Sequence, residues 1–572
     1  MQIVKRQALI STPLDASLPN ILDRVLRHRG IQSIDEIDMQ TKSLLHYKLL
    51  KDIDIASSLM VEAIKQQSLI TIVGDFDADG ATSTALCMLC LRDFGHHKTT
   101  YIVPNRFDYG YGLSPPVVDI AHEMKTDLLV TVDNGISSIE GVKYAKSLGI
   151  KVIVTDHHLA PENLPIADAI VNPNQPGCEF PSKNLAGVGV AFYLMLSVRA
   201  KLIQSGYFEE KSMPPPNIAS YLDIVALGTV ADVVPLDKNN RILVHQGLQR
   251  IRSGRTRHGI QALLDVAGRN ATRLASADLG FALGPRLNAA GRLEDMSVGI
   301  ECLLTEDQFK ARKLASELDG LNRSRQEIQQ DMQIEAEKAL SSLALSGQTL
   351  PAGLCVYDES FHAGVVGIVA GKLKEQYYRP TIVFAKENET TLKGSARSIA
   401  GVHIRDVLES IHSRNPSLIT KFGGHAMAAG LSLPIDAYAE FSSMFAESVH
   451  DAMKGLPEHQ QMLSDGELSA IEMSLDNAQI LKCHLPWGQG FEAPVFDGVF
   501  NVVQQRLVGQ KHLKLVLSKD RQVFDGIAFN VDVEQWPNES ASRVHIAYQL
   551  DLNEFKNRVN VQLLINDLVV AS

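Results

Sequence analysis

The 572 residues carry 55 Lys+Arg against 66 Asp+Glu, a formal net charge of −11, with 45% hydrophobic and 21% charged residues. This balance excludes a mainly disordered chain and argues against a uniformly basic coat for nucleic acid, while leaving room for a local basic channel. At roughly 150 residues per domain the length suggests about three to four domains. No apolar run reaches the ~18–20 residues of a membrane span, and the N-terminus lacks the apolar core of a signal peptide. Six cysteines in such a length make no disulfide framework. The reading is a reduced, cytoplasmic protein with no membrane association.

Residues 1–50 read as an N-terminal helical segment. Apolar runs then alternate with helical stretches: SLITIV (68–73), TTYIV (99–103), DLLVTV (127–132) and KVIVT (151–155). Runs apolar throughout suit strands buried on both faces, so an α/β domain with a doubly wound parallel sheet is predicted over residues 51–304. Cys87 and Cys90 form a lone CxxC; without a second ligand pair for zinc they read as helix-core residues. Residues 305–345 are rich in Ala, Glu, Lys and Gln, and Thr305 with Gln308 fits a capping box. A connecting helix of ~60 Å follows, unless Gly320 breaks it. A second α/β domain is predicted over 346–455, ending in the Gly-rich loop KFGGHAMAAG (421–430). Over 456–572 the apolar residues alternate with period two between short turns, which predicts a small antiparallel barrel or sandwich.

The densest chemical signal is Gly74-Asp75-Phe76-Asp77-Ala78-Asp79-Gly80, directly after an apolar run. In extended chain Asp75, Asp77 and Asp79 share a face. Carboxylates ~4 Å apart repel by about 1 kcal/mol in water and about 4 at an effective dielectric of 20, and a divalent cation removes that repulsion. The bland alternatives are a solvated turn or an EF-hand loop, and the latter does not follow a strand. Asp133 closes the next strand in LLVTVDNG, and Asp156-His157-His158 closes another. The carboxyl ends of parallel strands share one edge, where ligands bind. A lone His pair is more often surface or core than ligand; three such clusters at strand ends point to metal. Asp223, in the apolar YLDIVALGTVADVVP, is a fourth candidate ligand or else a capping or Arg-paired aspartate. Oxygen and imidazole donors without thiolate favour Mn²⁺ or Mg²⁺. The number of carboxylates suggests two ions, the arrangement for in-line attack on phosphorus.

GDFDADG, VDNG and DHH, in this order, resemble the DHH phosphoesterase superfamily. YLDIVALGTVADVVPL, GPRLNAAGR (284–292), FHAGVVGIVAGKL (361–373), GSARS (394–398) and GGHAMAAG (423–430) extend the likeness to the bacterial RecJ single-strand-specific exonucleases. The resemblance implies a DHH domain, a DHH-associated (DHHA1) domain and a C-terminal oligonucleotide/oligosaccharide-binding (OB) barrel. It implies a 5′→3′ exonuclease of DNA recombination and repair acting on single-stranded DNA. Single-strand-binding protein and a RecQ-type helicase are the implied partners, and a monomer is the implied state.

Asp77, Asp79, Asp133, His157, His158 and Asp223 fall on the family's metal motifs, with Asp75 and Asp156 beside them. Asp133, Asp156, His157 and His158 are the catalytic candidates, and which of the last three binds metal and which moves protons stays open. Some relatives carry a His where Val73 stands here, so one ion has fewer protein ligands. The nucleic-acid candidates are Arg106, Tyr109, Tyr111, Arg286, Asn288, Arg292, His362, Ser395, Arg397, Gly423, Gly424 and His425. Among these Arg106, Ser395 and Arg397 match positions that hold a 5′-terminal phosphate in the family, and GPRLNAAGR reads as a loop. Taken singly, each Arg could as well be a surface salt-bridge residue, Gly423 and Gly424 a tight turn, and the tyrosines surface packing. RIRSGRTRHG (250–259), the strongest basic run, either flanks the DNA path or is a solvated face, the face being the preferred reading. Two other functions stay open: a DHH hydrolase of short oligonucleotides, cyclic dinucleotides or polyphosphate, and a scaffold without catalysis, which the retained acids disfavour.

Overall fold

The computed structural model describes residues 2–104, 112–345, 350–457, 461–555 and 558–571. Gly320–Gln461 forms one compact unit, and Ile3–Asp319 together with Met462–Ser572 the other.

The chain opens with a short strand, β1 (Gln2–Lys5), a helix over Asn20–His28 and three 3₁₀ turns, so the N-terminal segment is less helical than its sequence suggests. A five-stranded sheet follows: β2 (Ile70–Val73), β3 (Thr99–Ile102), β4 (Leu128–Val132), β5 (Lys151–Thr155) and β6 (Ala169–Val171). The order is β3-β2-β4-β5-β6, with every pairing parallel. β2 and β4 are buried along their whole length, as runs without polar alternation require. Val73, Leu129, Val152 and Val154 belong to the core on one face. β6 escaped the sequence reading because three residues carry no periodicity. The winding direction reverses at β2, so the edge above β2 and β4 is the switch point where such sheets bind ligands.

The helix Gly187–Gln204 is long and apolar enough to cross a membrane on length and composition alone, a length not credited from the sequence. Two-thirds of it is buried, with Val190, Leu194 and Val198 fully so, and it is a core helix. Cys87 and Cys90 are buried in the helix Ala78–Asp93, as expected. GPRLNAAGR forms the helix Gly284–Leu293, not a loop; it continues directly from a π-turn over Leu279–Leu283, with Pro285 at the junction. The long helix Gln308–Leu345 spans 38 residues, about 57 Å, unbroken at Gly320. Its N-terminus is capped by Asp307, which accepts from Phe309 N–H (2.7 Å), and Thr305 supports Asp307 instead of capping the helix.

The smaller unit holds β7 (Leu354–Tyr357), β8 (Thr381–Lys386), β9 (Thr391–Arg397), β10 (Lys421–Gly424) and β11 (Ala428–Pro434), in the order β10-β11-β9-β8-β7. Only β7–β8 is parallel. The Gly-rich segment read as a loop is therefore largely the β10–β11 hairpin. Phe384, Phe441 and Phe445 fill this unit's core.

After β12 (Gln461–Ser464), which pairs with β1, come β13 (Phe496–Val508), β14 (His512–Lys519), β15 (Gln522–Ala528), β16 (Arg543–Phe555) and β17 (Arg558–Val570). They close a barrel in the order β13-β14-β15-β17-β16. β13 is long enough to pair with β16 by its first half and with β14 by its second, a bulge between Val502 and Gln504 bending it. β15 and β17 are parallel. This is the five-stranded OB arrangement, with Phe500, Leu515, Leu517 and Tyr548 inside.

Candidate active site

The loop after β2 runs into the helix Ala78–Asp93. Asp77 caps that helix, its Oδ1 accepting from the N–H groups of Asp79 and Gly80 (3.0 Å each). Asp75 accepts from Phe76 N–H (2.8 Å) and is 5% exposed. Asp79, 1% exposed, receives the N–H groups of Gly187 (2.6 Å) and Val188 (2.9 Å), so it sits on the N-terminus of a second helix. Asp133 ends β4 in the left-handed region (φ 62°). A Cβ on Gly187 would lie 2.6 Å from the Asp133 Cβ, and glycine there makes room for the carboxylate. A Cβ on Gly291 would lie 1.7 Å from Phe76 O, so the helix Gly284–Leu293 presses on the acidic loop, where Asn288 Oδ1 also accepts from Ala78 N–H (2.8 Å).

After β5, Asp156 collects donors: Ile136 N–H on Oδ2 (2.9 Å) and His157 N–H (2.7 Å), His158 N–H (3.1 Å) and His158 Nδ1 (2.7 Å) on Oδ1. His157 Nε2 points into the carboxylates, 3.1 Å from Asp133 Oδ1, 3.4 Å from Asp232 Oδ2 and 4.0 Å from Asp79 Oδ2.

Asp232 was not anticipated, and Asp223 does not join the cluster. Asp223 Oδ2 accepts from Thr256 Oγ1 (3.0 Å) and Arg257 N–H (3.1 Å), which makes it the Arg-linked structural aspartate held open as its alternative. The two acids flank the helix Leu222–Ala231 nine residues apart; at 100° per residue they project from opposite faces as well as opposite ends. The same contacts show that the run 250–259 is not simply a solvated face. Arg257 also lies over the Tyr221 ring (4.8 Å), and Arg252 bonds the carbonyls of Leu274 and Cys483.

Burial, followed by neighbouring carboxylate charge, drives the acids up: Asp75, Asp133 and Asp232 well above the ordinary range, and Asp79 to about 7. Burial, helped by the His158 charge, pushes His157 down to about 4. For His158, burial opposes charge, but the bond to Asp156 prevails and lifts it to about 9. Asp156 is itself lowered: its donors outweigh its burial.

Donor atoms gather in three overlapping sets, each within 4.8 Å: Asp75/Asp77/Asp133, Asp133/His157/His158 and Asp79/His157/Asp232. His157 Nε2 and Asp232 Oδ2 are buried yet make no hydrogen bond. A neutral imidazole lone pair facing carboxylate oxygens is repulsive without a cation between them. The donor set, oxygen and imidazole with no thiolate, therefore fits Mn²⁺ or Mg²⁺, and sets sharing Asp133 and His157 suit two ions.

The nucleic-acid candidates divide. Arg106, Tyr109 and Tyr111 lie outside the described residues. Arg286 forks onto Asp319 (Nε 2.9 Å, Nη2 2.8 Å) and gives Nη1 to Ala282 O (2.7 Å), so it braces the end of one helix against the next. Asn288 holds the acidic loop, as above, and Arg292 ends the same helix. In the smaller unit Arg397 Nη1 donates to Ser395 Oγ (3.0 Å) and Ala396 O (2.8 Å), and burial depresses the guanidinium below its usual range. A Cβ on Gly367, in the first turn of the helix Val366–Tyr377, would lie 2.9 Å from both Arg397 Nη2 and Ser395 Oγ. A helix N-terminus, a hydroxyl and a guanidinium thus meet, the chemistry of an anion site. His362 Nδ1 accepts from Gly364 N–H (3.1 Å) just before it. Gly424 (φ 141°) ends β10, Gly423 precedes it, and His425 N–H donates to Ala428 O (2.8 Å) across the hairpin turn.

Comparison with known proteins agrees with this geometry. Residues 69–229 match the DHH family N-terminal domain, 351–451 the DHHA1 domain and 464–567 the RecJ OB domain. The chain is 52% identical to the single-stranded-DNA-specific exonuclease RecJ of Salmonella typhimurium over 99% of both chains. Crystal structures of Thermus thermophilus RecJ in complex with Mn²⁺ and with Mg²⁺ superpose with TM-scores of 0.77 and 0.71 at 27% and 25% identity, each covering 96% of this chain and 76% and 74% of theirs. Three domain types in one order, on a chain matched end to end, leave one assignment: it belongs to the RecJ family of single-stranded-DNA-specific exonucleases.

Proposed function

We propose that this protein hydrolyses single-stranded DNA from the 5′ end with two divalent cations, Mn²⁺ or Mg²⁺. The observation that carries the reading is the convergence of Asp75, Asp77, Asp79, Asp133, Asp232 and His157 at the carboxyl edge of one parallel sheet.

Asp75, Asp77 and Asp133 would hold one ion, and Asp79, Asp232 and His157 the other. Such ions, when bound, lower the pKa of water and neutralise phosphate charge. His157 is neutral at physiological pH, as a ligand must be. His158 is held at Nδ1 by Asp156, a bond that pushes it up to about 9 in the metal-free fold and favours its protonated form. From Nε2 it would give a proton to the 3′ oxygen released as the terminal nucleotide leaves. Ser395, Arg397 and the helix start at Val366 would hold a phosphate, and the barrel would lengthen the grip on the strand.

An enzyme confined to unpaired strands needs duplex opened for it. A RecQ-type helicase that opens duplex and single-strand-binding protein that keeps strands unpaired are the partners this requirement fits. The test is digestion of single strands labelled at the 5′ or the 3′ end, beside a blunt duplex, with Mn²⁺ or a chelator. Mononucleotide is expected first from the 5′ label, on single strands, and only with metal. Initial release from the 3′ label, equal duplex cleavage, or activity confined to di- and trinucleotides would sink the reading.

A further inference from the structure

β6 ends at Val171, and the chain goes on as Asn172-Pro173-Asn174 behind the two histidines. Asn172 is fully buried. Its Nδ2 donates to His158 O (2.9 Å), and its Oδ1 accepts from Asn174 N–H (2.7 Å). Asn174 Nδ2 donates to His157 O (2.6 Å) and Lys183 O (3.2 Å). Lys183 Nζ returns to the carbonyls of Pro173 (2.7 Å) and Cys178 (2.9 Å). Asparagine suits such a place, because its amide carries two donors and can bridge two main-chain carbonyls. Pro173 between the two amides fixes its own φ and so their spacing. Both amides hold the main chain that carries His157 and His158.

From Lys183 the same segment runs on to the other acids around His157. The His157 ring hydrogen-bonds the backbone of Leu185. Since Nε2 faces the carboxylates, that bond falls to Nδ1 and fixes which nitrogen is open to a metal. Asp79 takes the N–H groups of Gly187 and Val188. Ser182 Oγ (2.5 Å) and Asn184 Nδ2 (3.2 Å) donate to Asp237, which caps the helix Lys238–Arg252 shortly after Asp232. Asn240 Nδ2 then joins Asn184 O (2.6 Å) to Pro235 O (3.0 Å). Residues 172–188 thus reach His157 and Asp79 directly, and Asp232 through the turn that follows it. The acids of the other set are braced elsewhere. Asp75 and Asp77 take N–H groups of their own loop and helix, and Asn134 Nδ2 ties β2 to β4 at Val73 O (3.0 Å) and Val132 O (2.9 Å).

We propose that Asn174 is a positioning residue for one of the two cations: through the main chain of His157 and Lys183 it sets the Asp79/His157/Asp232 site and not the Asp75/Asp77/Asp133 site. This rests on the two-ion reading above. The two ions are therefore held by separate supports, and one can be loosened while the other stays. Amides that orient ligands without touching the metal govern affinity over about 10- to 100-fold.

The test titrates Mn²⁺ into the full-length protein and its Asn174→Ala and Asn174→Asp variants, followed by calorimetry and by electron paramagnetic resonance. Asn174→Asp keeps the shape and replaces the donors with acceptors. Both variants should weaken one Mn²⁺ by about 10- to 100-fold and leave the other within about twofold. At intermediate metal their spectrum should be that of an isolated ion, where the unaltered protein shows a coupled pair. Their kcat on a single strand should fall at low Mn²⁺ and recover at high Mn²⁺, with KM for the strand unchanged. Even weakening of both ions, or of neither, overturns the assignment while the two-ion reading stands. Lys183→Met alters an exposed side chain and decides the matter if the Asn174 variants do not fold. It should weaken the same single ion by a smaller factor, and an even or absent loss overturns the proposal. If the unaltered protein takes up fewer than two Mn²⁺, the two-ion reading falls and this one with it.

Discussion

Asp223 and Asp232 share one apolar run, and the environment separates them. Asp223 accepts a hydroxyl and a backbone N–H, a closed structural set. Asp232 presents a buried oxygen with no donor, 3.4 Å from His157. Asp232→Asn should therefore cut turnover by at least about a hundredfold with the circular dichroism spectrum intact, since a ligand counts for more than an outer-shell partner. Asp223→Ala should instead lower stability by about 1–3 kcal/mol through its stranded donors, measured by urea unfolding, with cleavage persisting in the folded fraction. Equal catalytic loss in both would contradict the division. Asp79 carries a pH prediction. Its folded pKa, raised to about 7, lies above the unfolded value, so the protonated carboxyl is the form favoured by the metal-free fold. Its contribution to metal-free stability is greatest below about 4 and declines as pH rises towards 7. Metal binding competes with those protons. The rise in Tm on adding Mn²⁺ should thus be larger at pH 8 than at pH 5; a pH-independent rise would place the ion elsewhere.

Among the secondary elements, glycines set how closely the site can be assembled. Gly187 leaves space for Asp133, and Gly291 lets a helix rest on the carbonyl of Phe76. At Gly291 the added Cβ meets backbone, which cannot rotate aside. Gly291→Ala should push the acidic loop away from β4 and weaken Mn²⁺ binding by about 10- to 100-fold, the range for disturbed outer-shell support. Isothermal titration would read it, with helix content as the control; wild-type affinity would show that the loop position is not set by this contact. The same closeness explains why GPRLNAAGR is a helix: Asn288 and Gly291 act on one loop from one face, three residues apart.

For the molecule as a whole, long-range polar links join what the chain separates. Asp465, just after β12, is fully buried and receives both terminal nitrogens of Arg29 (2.7 and 2.9 Å), with His28 Nδ1 at 3.1 Å. The N-terminal segment is thereby fastened beside the barrel across more than 430 residues of chain. Asp465→Ala should destabilise by about 3–5 kcal/mol, because Arg29 is left buried without its partner. Guanidinium-chloride unfolding followed by tryptophan emission, with Trp487 and Trp536 both in the barrel segment, would detect it; an unchanged midpoint would mean the pair is dispensable.

The strands at 70–73, 128–132 and 151–155 and all five barrel strands could be read from periodicity alone, since burial on two faces or on one dictates an unbroken or an alternating apolar pattern. So could Asp75, Asp77, Asp79, Asp133 and the Asp156-His157-His158 run as a group at one sheet edge, because the ends of parallel strands coincide. β6, the helical state of 284–293, the hairpin at 421–434 and the choice of Asp232 over Asp223 could not. Each depends on contacts between residues far apart in the chain: a third face to pack on, a distant backbone to approach, a donor at position 256 or 257 that satisfies one acid and leaves the other facing an imidazole. Local pattern carries the hydrophobic period; which polar atom finds a partner is settled only when the chain has closed on itself.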